Sequence, residues 1–220
     1  MVTALAVAVG SSVLFAGSVA AADAPDSVRI AGNNRYATAV AVAQIDADDP
    51  ECYDTLIVVN GENWPDGLSA AVYSDPILLT RANSLPSETL AELERLVECN
   101  DGDEIEIDVI GGTAAVSDAV YGQMAALAVN VDMERHAGDS RYTTAIAVAE
   151  DYGNDGCVIM VTGENFPDAL AAGPMAYWDD APIILNNGAS VRADVAEYLI
   201  AEDIYCVYIV GGTSVIPQSV

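Results

Sequence analysis

A pattern of twelve residues occurs twice in this chain, and no other feature restricts the possible folds as much. Residues 60–71 read NGENWPDGLSAA and residues 162–173 read TGENFPDALAAG. Three further segments match in the same order: RIAGNNRYATAVAVA (29–43) with RHAGDSRYTTAIAVA (135–149), PILLT (76–80) with PIILN (182–186), and VIGGTAAVS (109–117) with IVGGTSVIP (209–217). Four ordered landmarks make the chain two copies of one unit, so the fold must be buildable from roughly 100 residues and then set beside itself.

Within a unit the periodicity predicts alternating elements. Residues 35–44 carry Ala and Val at helical spacing, 55–60 form a continuous β-branched run, and 76–80 form another. Residues 87–98 are amphipathic with Leu90, Leu93 and Leu96 on one side, 104–110 alternate and then become apolar, and 117–127 are helical again. Short apolar strands separated by helices imply a parallel sheet covered on both faces. The expected fold class is α/β: two tandem copies of a small parallel-sheet α/β layered domain, at 29–134 and 135–220. The second copy is expected to be truncated at its C-terminus, because only SVIPQSV follows its GGT where the first continues into a helix and VNVDMER.

The charge balance narrows the function classes. There are 34 Asp and Glu against 7 Arg, no Lys, and a formal net charge of -27. Such a surface repels itself at low ionic strength, whereas at about 1 M salt the screening length falls to roughly 3 Å. The acids are interleaved with apolar runs, so they belong to a folded, salt-adapted surface rather than to a disordered tail. Without a basic patch to neutralise phosphates, nucleic acid is disfavoured as a partner.

Residues 1–22 form an apolar run ending in small residues, with Ala20 and Ala22 in an A-x-A arrangement, as in a secretory leader, although no cation precedes the run. A membrane anchor is the alternative. With the leader removed and 23–28 as a linker, the expected protein is exported, located at the cell surface or wall, and without a membrane span.

GENWPD directly follows a strand, where Gly61 permits a sharp exit, Asn63 can cap a helix, Pro65 suits a first helical position and Asp66 meets the positive end of the helix dipole. GENFPD makes the equivalent corner with Asn165, Phe166 and Asp168. Local structure explains most of this. The functional alternative is that the corner lies at the carboxyl edge of a parallel sheet, where open α/β folds bind ligands, with Asn63 and Asn165 bonding sugar hydroxyls and Trp64 offering a stacking face.

RxxGxxRY takes four of the seven cations, Arg29, Arg35, Arg135 and Arg141, followed by Tyr36 or Tyr142. Structurally, such guanidiniums fork onto carbonyls or onto carboxylates such as Asp66 and Asp168 and join units; functionally, they contact an anion. GGT at 111–113 and 211–213 is better explained as a tight turn than as an anion cradle, since no P-loop lysine accompanies it. PILL and PIIL are core strands.

The cysteines fall at matched places, Cys52 with Cys157 before the first strand and Cys99 with Cys206 near the third. Both lie at strand entrances on one edge of a parallel sheet, which predicts disulfides Cys52–Cys99 and Cys157–Cys206, each worth up to roughly 4 kcal/mol. Metal and cofactor are not expected: no C-x-x-C spacing occurs. An enzyme would have to use Glu62 with Asp66, or Glu164 with Asp168, as carboxylate pairs for glycoside hydrolysis or Ca²⁺. His136, the only histidine, is not duplicated and is expected at the surface.

RxxGxxRYxTA, GENxPDxLxA, PILL and VIGGTxxVS in this order resemble the cell wall binding repeat type 2 family. That resemblance implies a surface protein holding non-covalently to an envelope polymer, often through three repeats around a pseudo-threefold axis, with any catalytic domain elsewhere. The expectation is a non-catalytic module for an envelope polysaccharide or surface glycoprotein, in a haloarchaeon by its charge, with further repeats or self-association. A purely structural surface-layer role and an envelope-glycan hydrolase are the alternatives.

Overall fold

A computed structural model describes residues 28–45, 52–188 and 190–220. The expected leader lies outside them. The first repeat runs α1 (Arg35–Ala43), β1 (Thr55–Asn60), a 3₁₀ helix (Asp66–Val72), β2 (Ile77–Thr80), α2 (Ser87–Cys99), β3 (Ile105–Ile110) and α3 (Asp118–Ala125). There follow β4 (Val131–His136), α4 (Arg141–Tyr152), β5 (Cys157–Thr162), α5 (Pro167–Trp178), β6 (Ile183–Asn186), α6 (Ala193–Ala201) and β7 (Cys206–Ile209). All strand pairs are parallel, in a four-stranded sheet of order β2-β1-β3-β4 and a three-stranded sheet of order β6-β5-β7. The protein is thus α/β with two repeats, the second shorter.

Caps explain where the repeat helices start. The Asn34 side chain accepts from the Ala37 amide at 2.9 Å to open α1, and Ser140 opens α4 in a capping box with Thr143. The corner helices differ because the run from Pro65 to Pro76 is four residues shorter than that from Pro167 to Pro182. The longer run completes an α-helix with Pro167 in its first turn, and the shorter one is tightened into 3₁₀ geometry with Pro65 at the cap.

Strand alternation divides the apolar residues among three cores. Leu56 and Val58 of β1 pack with Leu93, Leu96, Val120 and Met124 of the first repeat. Val158 and Met160 of β5 pack with Val195 and Tyr198 of the second. The intervening residues, Ile57, Val59, Ile159 and Val161, face a core that the repeats share, filled by Leu68 and Val72 from one side and Ala145, Val148 and Leu185 from the other. The repeats are therefore fused through a common interior.

The segment around β4 carries a finding the periodicity did not suggest. It leads into the second repeat, yet it is the edge strand of the first repeat's sheet, with Ile105 opposite Val131 and Ile110 opposite His136. His136 is consequently buried at 4 % exposure instead of lying at the surface, and its Nε2 lies 2.9 Å from Asp108 and 3.6 Å from Asp151. Tyr73 of the first repeat donates to the same Asp151 at 2.8 Å.

The packing is not reciprocal. The 3₁₀ helix of the first repeat covers α4 and β6, burying Val148 completely, whereas the equivalent Val42 on α1 is 54 % exposed. Val42 lines an open groove of about 650 Å³ with Thr38, Ala39, Ile77 and Leu79. Among the described residues no helix is long and apolar enough to cross a membrane.

Candidate ligand site at the junction of the repeats

β1 ends in Asn60, whose buried side chain organises the first corner. Its Oδ1 accepts from the Glu62 and Asn63 amides at 2.7 and 2.9 Å, and its Nδ2 donates to the Ala115 carbonyl at 2.5 Å. The turn is therefore held by the last strand residue. Asn63, expected as a cap, does not serve as one: Pro65 occupies the N-cap position and no side chain caps the 3₁₀ helix. Thr162 stands where Asn60 does and accepts from the Glu164 amide at 3.2 Å. The residue before GEN was present in both quoted motifs; the signal was an Asn or Thr two residues ahead of a turn amide.

The aspartates of the corners account for GGT. Gly111 has φ +117° and Gly211 φ +138°, and a Cβ on either would meet the Asp66 or Asp168 carboxylate at 2.9 or 3.0 Å. Two motifs about 45 residues apart thus fit into one another, and the first glycine is required by backbone and neighbour together. Burial raises the pKa of Asp66, opposed by the positive charge of Arg141.

Three of the four motif arginines donate to backbone carbonyls. Arg35 donates to the Gly61 carbonyl and Arg141 to that of Gly163 at 2.7 Å, each within its own repeat. Arg135 reaches back across the junction to the Gly111 carbonyl at 2.8 Å. Each motif tyrosine supports an arginine from the loop after the second strand: Arg81 lies over Tyr36 at 4.7 Å and Arg192 over Tyr142 at 4.1 Å. Tyr142 also donates to Glu164 at 2.5 Å, and burial followed by that bond raises its pKa. Glu62 faces Arg81 at 3.9 Å across exposed surface.

The two corners meet. Trp64 and Phe166 make an edge contact with centroids 5.7 Å apart, and the Arg141 guanidinium sits 5.5 Å above the Trp64 ring. Beside this contact a cleft of about 230 Å³ is lined by Asn63, Pro65 and Asp66, by Gly112 to Ala115 in part, and by Asp139, Ser140, Arg141 and Thr144 from the second repeat. Of the expected site residues, Asn63, Asp66 and Arg141 line this cleft, with Trp64 stacked beside it. Arg35 and Tyr36 lie at the other end of the first repeat's corner, beside Gly61, and Asp168 lies against Gly211. Asn165 is not among the residues lining the cleft.

Cys52 and Cys99 form the first expected disulfide, with Cα atoms 5.6 Å apart. Cys157 and Cys206 are directly opposite one another across β5 and β7, but both are free thiols, so the second expected bond is not formed. Asp108, His136 and Asp151 bring potential ligand atoms within 4.8 Å of one another; the imidazole is hydrogen-bonded to Asp108, and Asp151 is held by Tyr73.

Fold and cleft together define a tandem-repeat α/β protein with a polar cleft built jointly by its repeats. Residues 29–121 and 135–220 match Cell wall binding domain 2 (CWB2), and the chain belongs to that family. It is 31% identical over 196 residues to the N-acetylmuramoyl-L-alanine amidase LytC of Bacillus subtilis (strain 168), covering 87% of this chain and 37% of that protein. It is 31% identical over 163 residues to the amidase enhancer of the same organism, covering 72% and 21%. The chain thus spans well under half the length of these relatives. Cwp6 from Clostridium difficile superposes with a TM-score of 0.75 at 28% identity, covering 87% of this chain and 30% of that one. Cwp8 from Clostridium difficile gives 0.74 at 28% identity, with 86% and 31% covered.

Proposed function

We propose that this chain is a non-catalytic, exported module that holds its protein at the cell surface by binding an envelope polysaccharide or surface glycan in the cleft between the repeats. One observation carries the proposal: in a family of cell wall binding domains, the cleft joins a guanidinium, a carboxylate, an amide and an adjacent indole, all from motif positions. Asn63 and Asp66 offer hydrogen-bond partners for sugar hydroxyls, Trp64 offers an apolar face to a pyranose ring, and Arg141 serves an anionic substituent. The net charge of -27 favours a salt-adapted source such as a haloarchaeon, where screening lets an acidic module approach an acidic surface.

Sedimentation of the protein with purified native envelope at high salt tests this. Retention that is released by soluble envelope glycan and lost in Trp64→Ala supports it; binding that ignores Trp64→Ala and Asn63→Ala sinks the cleft assignment. Hydrolysis of that glycan, abolished by Glu62→Gln, would move the chain into the hydrolase class. A folded protein that ignores envelope altogether would leave the structural surface-layer role.

A further inference from the structure

Three residues at the junction depart from the duplication together. Arg135 matches Arg29, so His136 falls at the place of Ile30 and Asp151 at the place of Ile45; the GGT motifs match, so Asp108 falls at the place of Tyr208. Where one copy has two isoleucines and a tyrosine, the other has two carboxylates and the chain's only histidine. The fold of a repeat therefore does not require these three polar groups, yet they occur as a set.

Three elements bring the set to one point. Asp108 is buried in β3, His136 is buried at the end of the neighbouring β4, and Asp151 lies in the last turn of α4. The His136 Nε2 is 2.9 Å from Asp108 Oδ1 and 3.6 Å from Asp151 Oδ2, so a buried imidazole nitrogen is aimed between two carboxylates. An ion held by nitrogen and oxygen at about 2.0 to 2.2 Å keeps neighbouring ligands roughly 3 to 3.5 Å apart, and little movement closes such a shell here. Tyr73 donates to Asp151 Oδ2 at 2.8 Å and orients it. Glu134, two residues before His136 on the same face of β4, brings a carboxylate oxygen within 4.8 Å of one on Asp108 and offers a fourth ligand.

The surroundings favour a cation independently of these distances. Glu106 stands opposite Asp132 and Asp108 opposite Glu134 across β3 and β4, two like-charged pairs that destabilise a bare sheet. Asp151 closes α4, where the negative end of the helix dipole disfavours a carboxylate. Among the described residues no arginine forms an ion pair with any of these acids, and His136 is the one basic group in ion-pair contact with them. We propose that Asp108, His136 and Asp151 bind a divalent transition-metal ion of the Zn²⁺ type, with Glu134 as a fourth ligand. Carboxylates alone suit Ca²⁺ or Mg²⁺; the imidazole nitrogen moves the preference to Zn²⁺. Asp108 and His136 belong to the first repeat's sheet and Asp151 to a helix of the second, so the ion clasps the repeats across their junction.

Titration of the chelator-stripped full chain with Zn²⁺, in about 1 M NaCl to screen surface carboxylates, tests this by calorimetry and NMR. One ion per chain is expected to bind and to raise the melting temperature. Because His136 is the only histidine, its ring signals report the site without any substitution, and they are expected to shift in step with the titration. Asp151→Asn and His136→Gln are each expected to weaken binding by about tenfold or more and to remove the rise in melting temperature. Glu197→Gln, exposed on α6, is expected to change neither. Co²⁺ is expected to give weak visible bands without the intense near-ultraviolet band of a thiolate ligand. The proposal is overturned by absence of binding at that salt, by saturation that leaves the His136 ring signals in place, or by both site variants binding like the unaltered chain. A thiolate band would overturn it by assigning the ion to Cys157 and Cys206, and a preference for Ca²⁺ over Zn²⁺ would do so by removing the imidazole from the shell.

Discussion

Val42 and Val148 occupy the same place in the two repeats, and only the second is covered. Substituting each by Ala deletes the same atoms from the same kind of helix, so any gain in helix propensity, about 0.5 kcal/mol, is common to both and cancels in the comparison. At Val148, wholly buried in the shared core, two methylene equivalents at about 0.8 kcal/mol each are lost from the apolar interior. An additional cavity contribution brings the expected cost to about 2 to 3 kcal/mol, because the 3₁₀ helix and β6 can collapse only partly around the gap. At Val42, more than half exposed in dilute protein, the expected change lies within about 0.5 kcal/mol of zero. Equilibrium urea unfolding at fixed high salt, with each variant read as a shift in midpoint at constant slope, measures both. Equal shifts would refute the non-reciprocal packing. A Val148→Ala midpoint unchanged from the parent would refute the shared core itself.

Four further outcomes follow from the site and the surface. For His136, burial lowers the pKa, but the Asp108 hydrogen bond and the nearby Asp151 and Glu134 charges outweigh it, so the folded value is raised. Its stabilisation is fully present below the unfolded value near 6.5 and is lost as pH rises through the folded value; a profile of melting temperature against pH should fall across that window and flatten in His136→Gln. Gly111→Ala, at φ +117° and against Asp66 and Ala115, should cost about 1 to 3 kcal/mol or more by urea titration, whereas Gly102→Ala shares the positive φ but meets no neighbour and should cost less. Mild oxidation should join Cys157 to Cys206, seen as a loss of two hydrogens in a peptide mass map and as a rise in stability of up to roughly 4 kcal/mol; persistence of both thiols under oxidant would deny that their strand register permits the bond. Dilution from about 1 M to about 0.01 M salt lengthens screening from roughly 3 Å to roughly 30 Å and should lower the melting temperature; a salt-independent value would remove the argument from charge.

The strands and amphipathic helices were legible because burial writes itself as period: TLIVVN is buried in all but its first residue, and Leu93 and Leu96 face the core as their spacing implies. β4 was not read from the sequence, because the alternation of Val131, Asp132, Met133 and Glu134 spans only four residues and the strand straddles the boundary between the repeats, with only Arg135 and His136 in the second. The burial of His136 was missed for the same reason, since it depends on a strand pairing between repeats. The corner motif was recognisable as a strand exit, but which side chain holds the turn was not: Asn60 ends a continuous apolar run and looks like its last strand residue. The meeting of Trp64 with Phe166 and of Asp66 with Gly111 depends on how elements pack, and no local spacing encodes that.

β4 also bears on what a repeat is. The strand straddles the boundary, so Arg135 and His136, the first residues of the second repeat, complete the sheet of the first, and Arg135 fastens the junction through the Gly111 carbonyl. A cut ahead of residue 131 would strip the first sheet of an edge, and a cut after residue 136 would leave α4 without the strand that aims it. The shared core adds the same constraint from the other face, since Ile57 and Val59 are covered by residues of α4, α5 and β6. The candidate cleft is built at the same junction: Asn63 and Asp66 come from one side and Asp139 to Arg141 from the other. A repeat built in this way contributes both to its neighbour's sheet and to the cleft between them, so the fold and the candidate cleft are set by one junction.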